Sequence, residues 1–99
     1  MIKDKSIKKI VKKLRVLDSG SLLEFVDYWD GDLCAIGFKR NDKLVYVSTC
    51  NYLKEKPLRY DVDLEILDPN RIDEIDVIQE LRGIGDQELF DLIKAFLLA

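Results

Sequence analysis

The chain has 99 residues, of which 47% are hydrophobic and 35% are charged, with a formal net charge of −3 at neutral pH. This length and composition predict a single domain, residues 1–99, with one modest hydrophobic core, and they exclude a disordered chain. No apolar run approaches the ~20 residues of a membrane-spanning helix, and no signal peptide is recognisable, so we expect a cytoplasmic protein.

The absence of histidine restricts the chemistry that the chain can perform. A Ser-His-Asp or Cys-His catalytic arrangement cannot be built, and a histidine-containing zinc site is excluded. Cys34 and Cys50, the two cysteines, lie in or beside apolar runs and are predicted to be buried free thiols. We therefore predict a protein that is not an enzyme and that has no metal site and no cofactor.

Charge is distributed unevenly along the chain. Residues 1–16 carry seven lysines and arginines against one acid, whereas residues 61–99 carry eleven acids against three bases. Any hypothesis about a partner has to begin from this polarity.

Apolar residues near the N-terminus recur every three or four positions and predict an amphipathic helix with Asp4 or Ser6 as its N-cap. We interpret the lysines on its other face as solvated or paired with the acidic C-terminal third. The alternative hypothesis is a basic helix that binds nucleic acid or an anionic surface. The apolar positions are Ile7, Ile10, Val11, Leu14 and Leu17. The binding residues of the alternative are Lys8, Lys9, Lys12 and Lys13.

Four strands follow in the prediction. Residues 21–29 fit a helix or a strand, and we favour a strand because Asp30-Gly31 is a typical hairpin turn. Residues 33–38 and 44–50 are almost continuously apolar, as expected for central strands. Residues 59–67 alternate between apolar and acidic side chains, which is the pattern of a strand with one buried face.

Two surface features are candidates for partner binding; the alternatives are that the acids only keep the protein soluble and that the aromatic residues pack in the core. Asp61, Asp63 and Glu65 are predicted to form an acidic ladder on the outer sheet face that attracts a basic protein. Tyr28 and Trp29 lie in a run too aromatic to be buried on both faces and are candidate interface anchors. The acidic cluster around Gly31 lacks the ligand spacing of a calcium loop.

Asp68-Pro69 predicts the start of a helix with an apolar stripe at Ile72, Ile75, Ile78 and Leu81 that stops at Gly83. A second helix is predicted over residues 87–99, with Asp86 as its N-cap. Its wide apolar face requires cover by the sheet or by another subunit.

Residues 76–93, with Gly83-Ile84-Gly85 between the two predicted helices, resemble the helix-hairpin-helix motif. The resemblance implies that Gly83 and Gly85 let backbone N–H groups face a nucleic-acid phosphate. Asp86, Gln87 and Glu88 stand where the motif commonly has basic or small polar residues. We therefore favour a tight connection between helices and keep phosphate binding as the alternative.

The predicted class is α+β, with an N-terminal helix, a four-stranded antiparallel meander and two C-terminal helices. The leading functional hypothesis is a small acidic protein-binding module, an adaptor or an inhibitor of the immunity or phage-inhibitor kind, whose partner has a basic surface. The alternatives are a nucleic-acid or anionic-surface binder and a protein that self-associates, as a homodimer or larger oligomer, through its C-terminal helix.

Overall fold

A computed structural model describes residues 3–18, 20, 22–26, 32–67, 70 and 75–98. The described residues form an N-terminal helix, a five-stranded antiparallel sheet and a C-terminal helix, which confirms the α+β class. The elements are α1 (Lys5–Leu17), β1 (Glu24–Val26), β2 (Ala35–Arg40), β3 (Lys43–Ser48), a short 3-10 helix (Cys50–Tyr52), β4 (Tyr60–Leu67), β5 (Ile75–Ile84), α2 (Asp86–Ile93) and a π-helical extension of α2 (Lys94–Leu98).

Helix α1 forms where the apolar repeat predicts it. The Asp4 carboxylate caps its first turn by accepting hydrogen bonds from the Ser6 backbone N–H at 2.9 Å and from the Ser6 hydroxyl at 2.6 Å. Four of the five predicted apolar positions are buried, and Leu17 at the end of the helix is exposed. The Ser6 hydroxyl also lies 2.7 Å from the Thr49 hydroxyl, which joins α1 to the end of β3.

The sheet is a meander in the order β1-β2-β3-β4-β5. Strands β2 and β3 are joined by a two-residue turn in which Asn41 adopts a positive φ of 56°. Asparagine tolerates this left-handed conformation better than most residues, which explains its place in the turn. The predicted strands at residues 33–38, 44–50 and 59–67 are confirmed with shifted ends. The strand predicted at residues 21–29 is observed over Glu24–Val26, while the turn expected at residues 30–31 lies outside the described residues.

The prediction of a helix that ends at Gly83 is wrong, because residues 75–84 form strand β5. Its pairing with β4 contains two irregularities, and each inserts one extra residue into β5. The β5 positions on the helix-covered side are therefore 76, 79, 81 and 84. Two of these three intervals are three residues long, so the bulged strand imitates the spacing of a helix. The predicted start of that helix at residues 68–69 lies outside the described residues, and so does Ile72 of its apolar stripe.

Helix α2 begins at Asp86, with Gly85 rather than Asp86 as the N-cap residue. The Asp86 carboxylate instead accepts a hydrogen bond from the Tyr60 hydroxyl. Leu89, Ile93 and Leu97 are buried in the same cluster as the sheet and α1. The sheet of this chain thus covers the apolar face for which another subunit had been an alternative.

Both helices cover one face of the sheet. The main cluster combines α1 and α2 side chains with Phe38, Val45 and Val62 of the central strands. The opposite face, here called the outer face, carries Leu44 and the acidic residues of β4. Leu44 is fully buried although it lies outside the main cluster. The outer face is therefore only partly open to water.

Both cysteines are free, as predicted, but the expectation that both are buried is wrong. Cys34 is half-buried and Cys50 is exposed. Strand β3 ends at Ser48, and Cys50 opens the short 3-10 helix that follows it. Cys50 therefore lies beyond the end of the buried strand, and its thiol is exposed.

Candidate functional site

The first acid of the predicted ladder, Asp61, is hydrogen-bonded to other residues of the chain. Its carboxylate accepts hydrogen bonds from the Tyr52 hydroxyl at 2.6 Å, the Gly83 N–H at 3.2 Å and the Asn51 side-chain amide at 3.1 Å. Burial alone would raise the pKa of Asp61, but these donors and the nearby Arg82 outweigh burial and hold the pKa below its ordinary value. Asp61 therefore ties the 3-10 helix to β5.

The second acid, Asp63, is neutralised by a neighbour on β5. Arg82 Nη1 lies 2.9 Å from Asp63 Oδ1, and Arg82 Nη2 lies 3.7 Å from a carboxylate oxygen of Glu80. Asp63 is half-buried and Arg82 is about half exposed, so the pair is partly screened by water. An approaching basic surface would have to compete with Arg82.

The third acid, Glu65, does not face water. Only 8% of its surface is exposed, and within the described residues its Oε2 atom has no hydrogen-bond partner. It is paired across the sheet with Leu44 on one side and Val77 on the other. Burial first, and then the charge of Asp63, raise the pKa of Glu65 above its ordinary value of 4.5. The expectation of three solvent-facing carboxylates on β4 is therefore wrong at Glu65.

The Gly83-Ile84-Gly85 turn joins a strand to a helix, so the two-helix frame of a helix-hairpin-helix motif is absent over residues 75–93. Gly83 adopts a positive φ of 66°, a conformation that glycine reaches without strain. Its N–H, which would have to face a phosphate, donates to Asp61 instead. Gly85 precedes α2 with extended backbone. The resemblance does not extend to the structure.

The most exposed part of the described sheet is the segment 76–80 of β5, which we call the β5 edge. Strand β5 is the last strand of the sheet, and all five of these residues are exposed. Val77 and Ile78 keep 45% and 56% of their surface in water. Asp76 and Glu80 flank them, and Ile78 is the residue that the bulge leaves without a partner on β4.

The lysines of α1 form the second exposed charged surface. Lys8, Lys9 and Lys12 are exposed and form no ion pair with any described residue. Lys13 points to the other side of the helix, where its Nζ lies 4.3 Å from the centre of the Phe90 ring. Of the two expectations for these lysines, solvated or paired with the acidic C-terminal third, exposure to water fits the described residues at Lys8, Lys9 and Lys12.

Arg15 was not among the sequence candidates, and it lies on the same side of α1 as Lys8 and Lys12. Together with Val11 and Val16 they line a groove of about 460 Å³, which we call the α1 groove. Heptad spacing of the three cations, at positions 8, 12 and 15, is the sequence signal that could have singled it out.

The structure leaves other candidates without a site. Tyr28 and Trp29 lie outside the described residues. Among the residues that are described, no cluster of acids and cysteines could hold a metal ion. No described helix is both long and apolar enough to cross a membrane.

At the β5 edge, the residues that sequence reasoning missed are Val77 and Ile78. An apolar pair between Asp76 and Glu80 signals an exposed anchor only once the segment is known to be an edge strand. Comparison with other proteins adds no assignment: no protein-family model, no curated protein and no solved structure matches this chain.

Proposed function

We propose that this protein is a non-catalytic protein-binding module whose contact surface is the β5 edge. The observation that carries the proposal is the exposure of the consecutive residues Val77 and Ile78, 45% and 56%, on edge strand β5, which has no second partner strand among the described residues. Exposed edges that carry large apolar side chains attract other chains, and soluble proteins usually protect them. Here Ile78 is the residue that the bulge leaves without a partner on β4, and more than half of its surface is in water.

Charge around the two apolar residues defines the partner. Asp76 and Glu80 flank them and are exposed; Arg82 lies 3.7 Å from a carboxylate oxygen of Glu80, so Asp76 is the less compensated of the two charges. A partner surface with an apolar pocket bordered by lysine or arginine would match this arrangement in shape and in charge. The acidic protein-binding hypothesis from the sequence is thus kept, but its surface moves from the β4 ladder to β5.

Self-association through the same surface is disfavoured by charge. In a symmetric dimer through this edge, Asp76 and Glu80 of both copies would be brought into one interface. Gathering these like charges without cations from a partner destabilises the contact. A basic partner avoids this repulsion, so a different protein is the favoured occupant.

The proposal is tested by panning a display library of random peptides against the immobilised protein and measuring the affinities of the enriched peptides by calorimetry. We expect peptides in which apolar residues alternate with lysine or arginine. Fully burying a valine or isoleucine contributes about 1.5–3 kcal/mol, so Val77 and Ile78, each about half exposed, contribute about 2 kcal/mol together. The double variant Val77→Ser/Ile78→Ser should therefore weaken binding about 30-fold.

The matched control is Leu33→Ser/Leu53→Ser, because these two leucines are each 48% exposed and lie outside β5. The control variant should bind the enriched peptides within about two-fold of the unchanged protein. Enrichment of acidic peptides, or an equal loss of affinity in the two double variants, would show that the β5 edge is not the contact surface. Unfolding curves of all variants confirm that each is folded.

A further inference from the structure

The α1 groove combines three cations with an apolar lining. Lys8, Lys12 and Arg15 lie four and three residues apart, so they follow one side of α1 over about 10 Å. Val11 is buried beneath them and Val16 is 77% exposed beside them. The groove has a volume of about 460 Å³, and its described lining residues all belong to α1, so it is an open surface groove.

The positive charge of the groove is available to a ligand. Lys8 and Lys12 have no ion pair with any described residue, and Arg15 lies over the Phe25 ring at 5.1 Å, a contact that leaves the guanidinium charge in place. Asp18 lies near Arg15 at this end of α1, and both of its carboxylate oxygens accept backbone N–H bonds, from Leu22 and Leu23 at 2.8 Å. The Asp18 carboxylate is therefore hydrogen-bonded within its own loop.

Any anionic ligand of the α1 groove has to approach from water, because α1 cannot insert into a membrane. Its apolar residues Ile7, Ile10 and Leu14 are at most 1% exposed and pack against the sheet. Membrane-surface helices need that face for the acyl boundary. The groove therefore offers surface cations with an apolar lining, and no insertion face.

We propose that the α1 groove binds the phosphodiester backbone of a single-stranded nucleic acid. Phosphates would contact Lys8, Lys12 and Arg15, while an unstacked base packs on the exposed Val16. A single strand is favoured over a duplex for two reasons. Its bases are free to cover apolar surface, and a flexible strand can follow the groove without bringing further phosphates toward the acids of β5 and α2.

The test is fluorescence anisotropy of a labelled oligothymidylate about 16 nucleotides long. Salt is varied from about 50 to about 200 mM. Three cations that neutralise phosphates of a single strand should give a slope of about −2 in log affinity against log salt. The variant Lys8→Gln/Lys12→Gln/Arg15→Gln should lower affinity about ten-fold or more at the lowest salt.

The matched control is Lys54→Gln/Lys56→Gln/Lys94→Gln, which removes the same charge from exposed positions outside α1. It should keep affinity within about two-fold, and so should Val77→Ser/Ile78→Ser, which separates this proposal from the β5 edge. Three results would overturn the proposal: no binding at the lowest salt, an equal loss in both glutamine triples, or stronger binding to a duplex of the same length or to phosphatidylcholine–phosphatidylserine vesicles. Equal melting curves for the two triples exclude unfolding as the cause.

Discussion

Glu65 gives a prediction about stability that follows from burial alone. Its carboxylate is 8% exposed, lacks a hydrogen-bond partner at Oε2 among the described residues and faces Leu44 and Val77 across the sheet. Because burial and Asp63 raise the pKa of Glu65 in the folded state, the folded protein retains a proton that the unfolded chain has already released. The free energy of unfolding should therefore fall as the pH rises from about 4.5 through the folded pKa, and then level off.

The substitution Glu65→Gln removes this titration while keeping the size of the side chain. A buried polar group without a partner costs about 1–3 kcal/mol, and an ionised one lies toward the upper part of that range. The glutamine amide keeps part of the cost, so we expect a net stabilisation of about 1 kcal/mol at alkaline pH. For a domain of this size that corresponds to a rise of about 4–8 °C in Tm. Below the ordinary pKa of glutamate, the two proteins should melt at nearly the same temperature.

The assay is thermal unfolding followed by circular dichroism between about pH 4 and about pH 8. Glu55→Gln, in the exposed loop after the 3-10 helix, is the control and should parallel the unchanged protein throughout. Asp4 and Asp61 have lowered pKa values, so their stabilisation is lost only below about pH 4 and does not interfere. If the unchanged protein keeps constant stability across this range and Glu65→Gln destabilises it at about pH 8, then Glu65 is ionised and compensated, and the reasoning fails.

Three further predictions test the fold. Gly83→Ala should lower the free energy of unfolding by about 1–2 kcal/mol in chemical unfolding, because alanine is strained at a φ of +66°. There is space for the added Cβ, so the hydrogen bond from residue 83 to Asp61 should survive. Leu14→Ala, at a fully buried position of α1, should cost about 2–5 kcal/mol in the same assay, and a cost under ~1 kcal/mol would mean that α1 is not packed on the sheet. Cys50, which is exposed, should react with a thiol reagent faster than Cys34, whose pKa is raised by burial and by Cys50; equal rates in the two single-cysteine variants would contradict the structure.

Helix α1 and strand β4 were predictable because each follows a simple period, and strands β2 and β3 because they are almost continuously apolar. The three- and four-residue spacing of the α1 core positions survives in the structure, and the alternation of β4 survives except at the buried Glu65. Strand β5 was not predictable by period, since two bulges stretch its alternation toward three residues. Gly83 was the one local signal against a helix, because a glycine inside a strand often marks a bulge.

The β4 ladder shows a different limit of sequence reasoning. Alternation places Asp61, Asp63 and Glu65 on one side of the strand, but their exposure depends on partners elsewhere in the chain. Asp61 receives donors from residues 9, 10 and 22 positions away. Such partners are set by how the sheet and its connections pack, and no local pattern carries that information.

The net charge of −3 conceals two surfaces of opposite sign at the two ends of the sheet. The α1 groove lies on the β1 side, where Arg15 contacts Phe25, and the β5 edge lies four strands away. At about 4.8 Å per strand the separation is about 19 Å, roughly twice the Debye length at 0.1 M salt. Charge changes at one surface should therefore leave the affinity of the other unchanged at that ionic strength. At about 10 mM salt the Debye length reaches about 30 Å, and Asp76→Asn/Glu80→Gln should then strengthen oligonucleotide binding at the groove. If the two surfaces were coupled equally at both salt concentrations, they would not be separate sites.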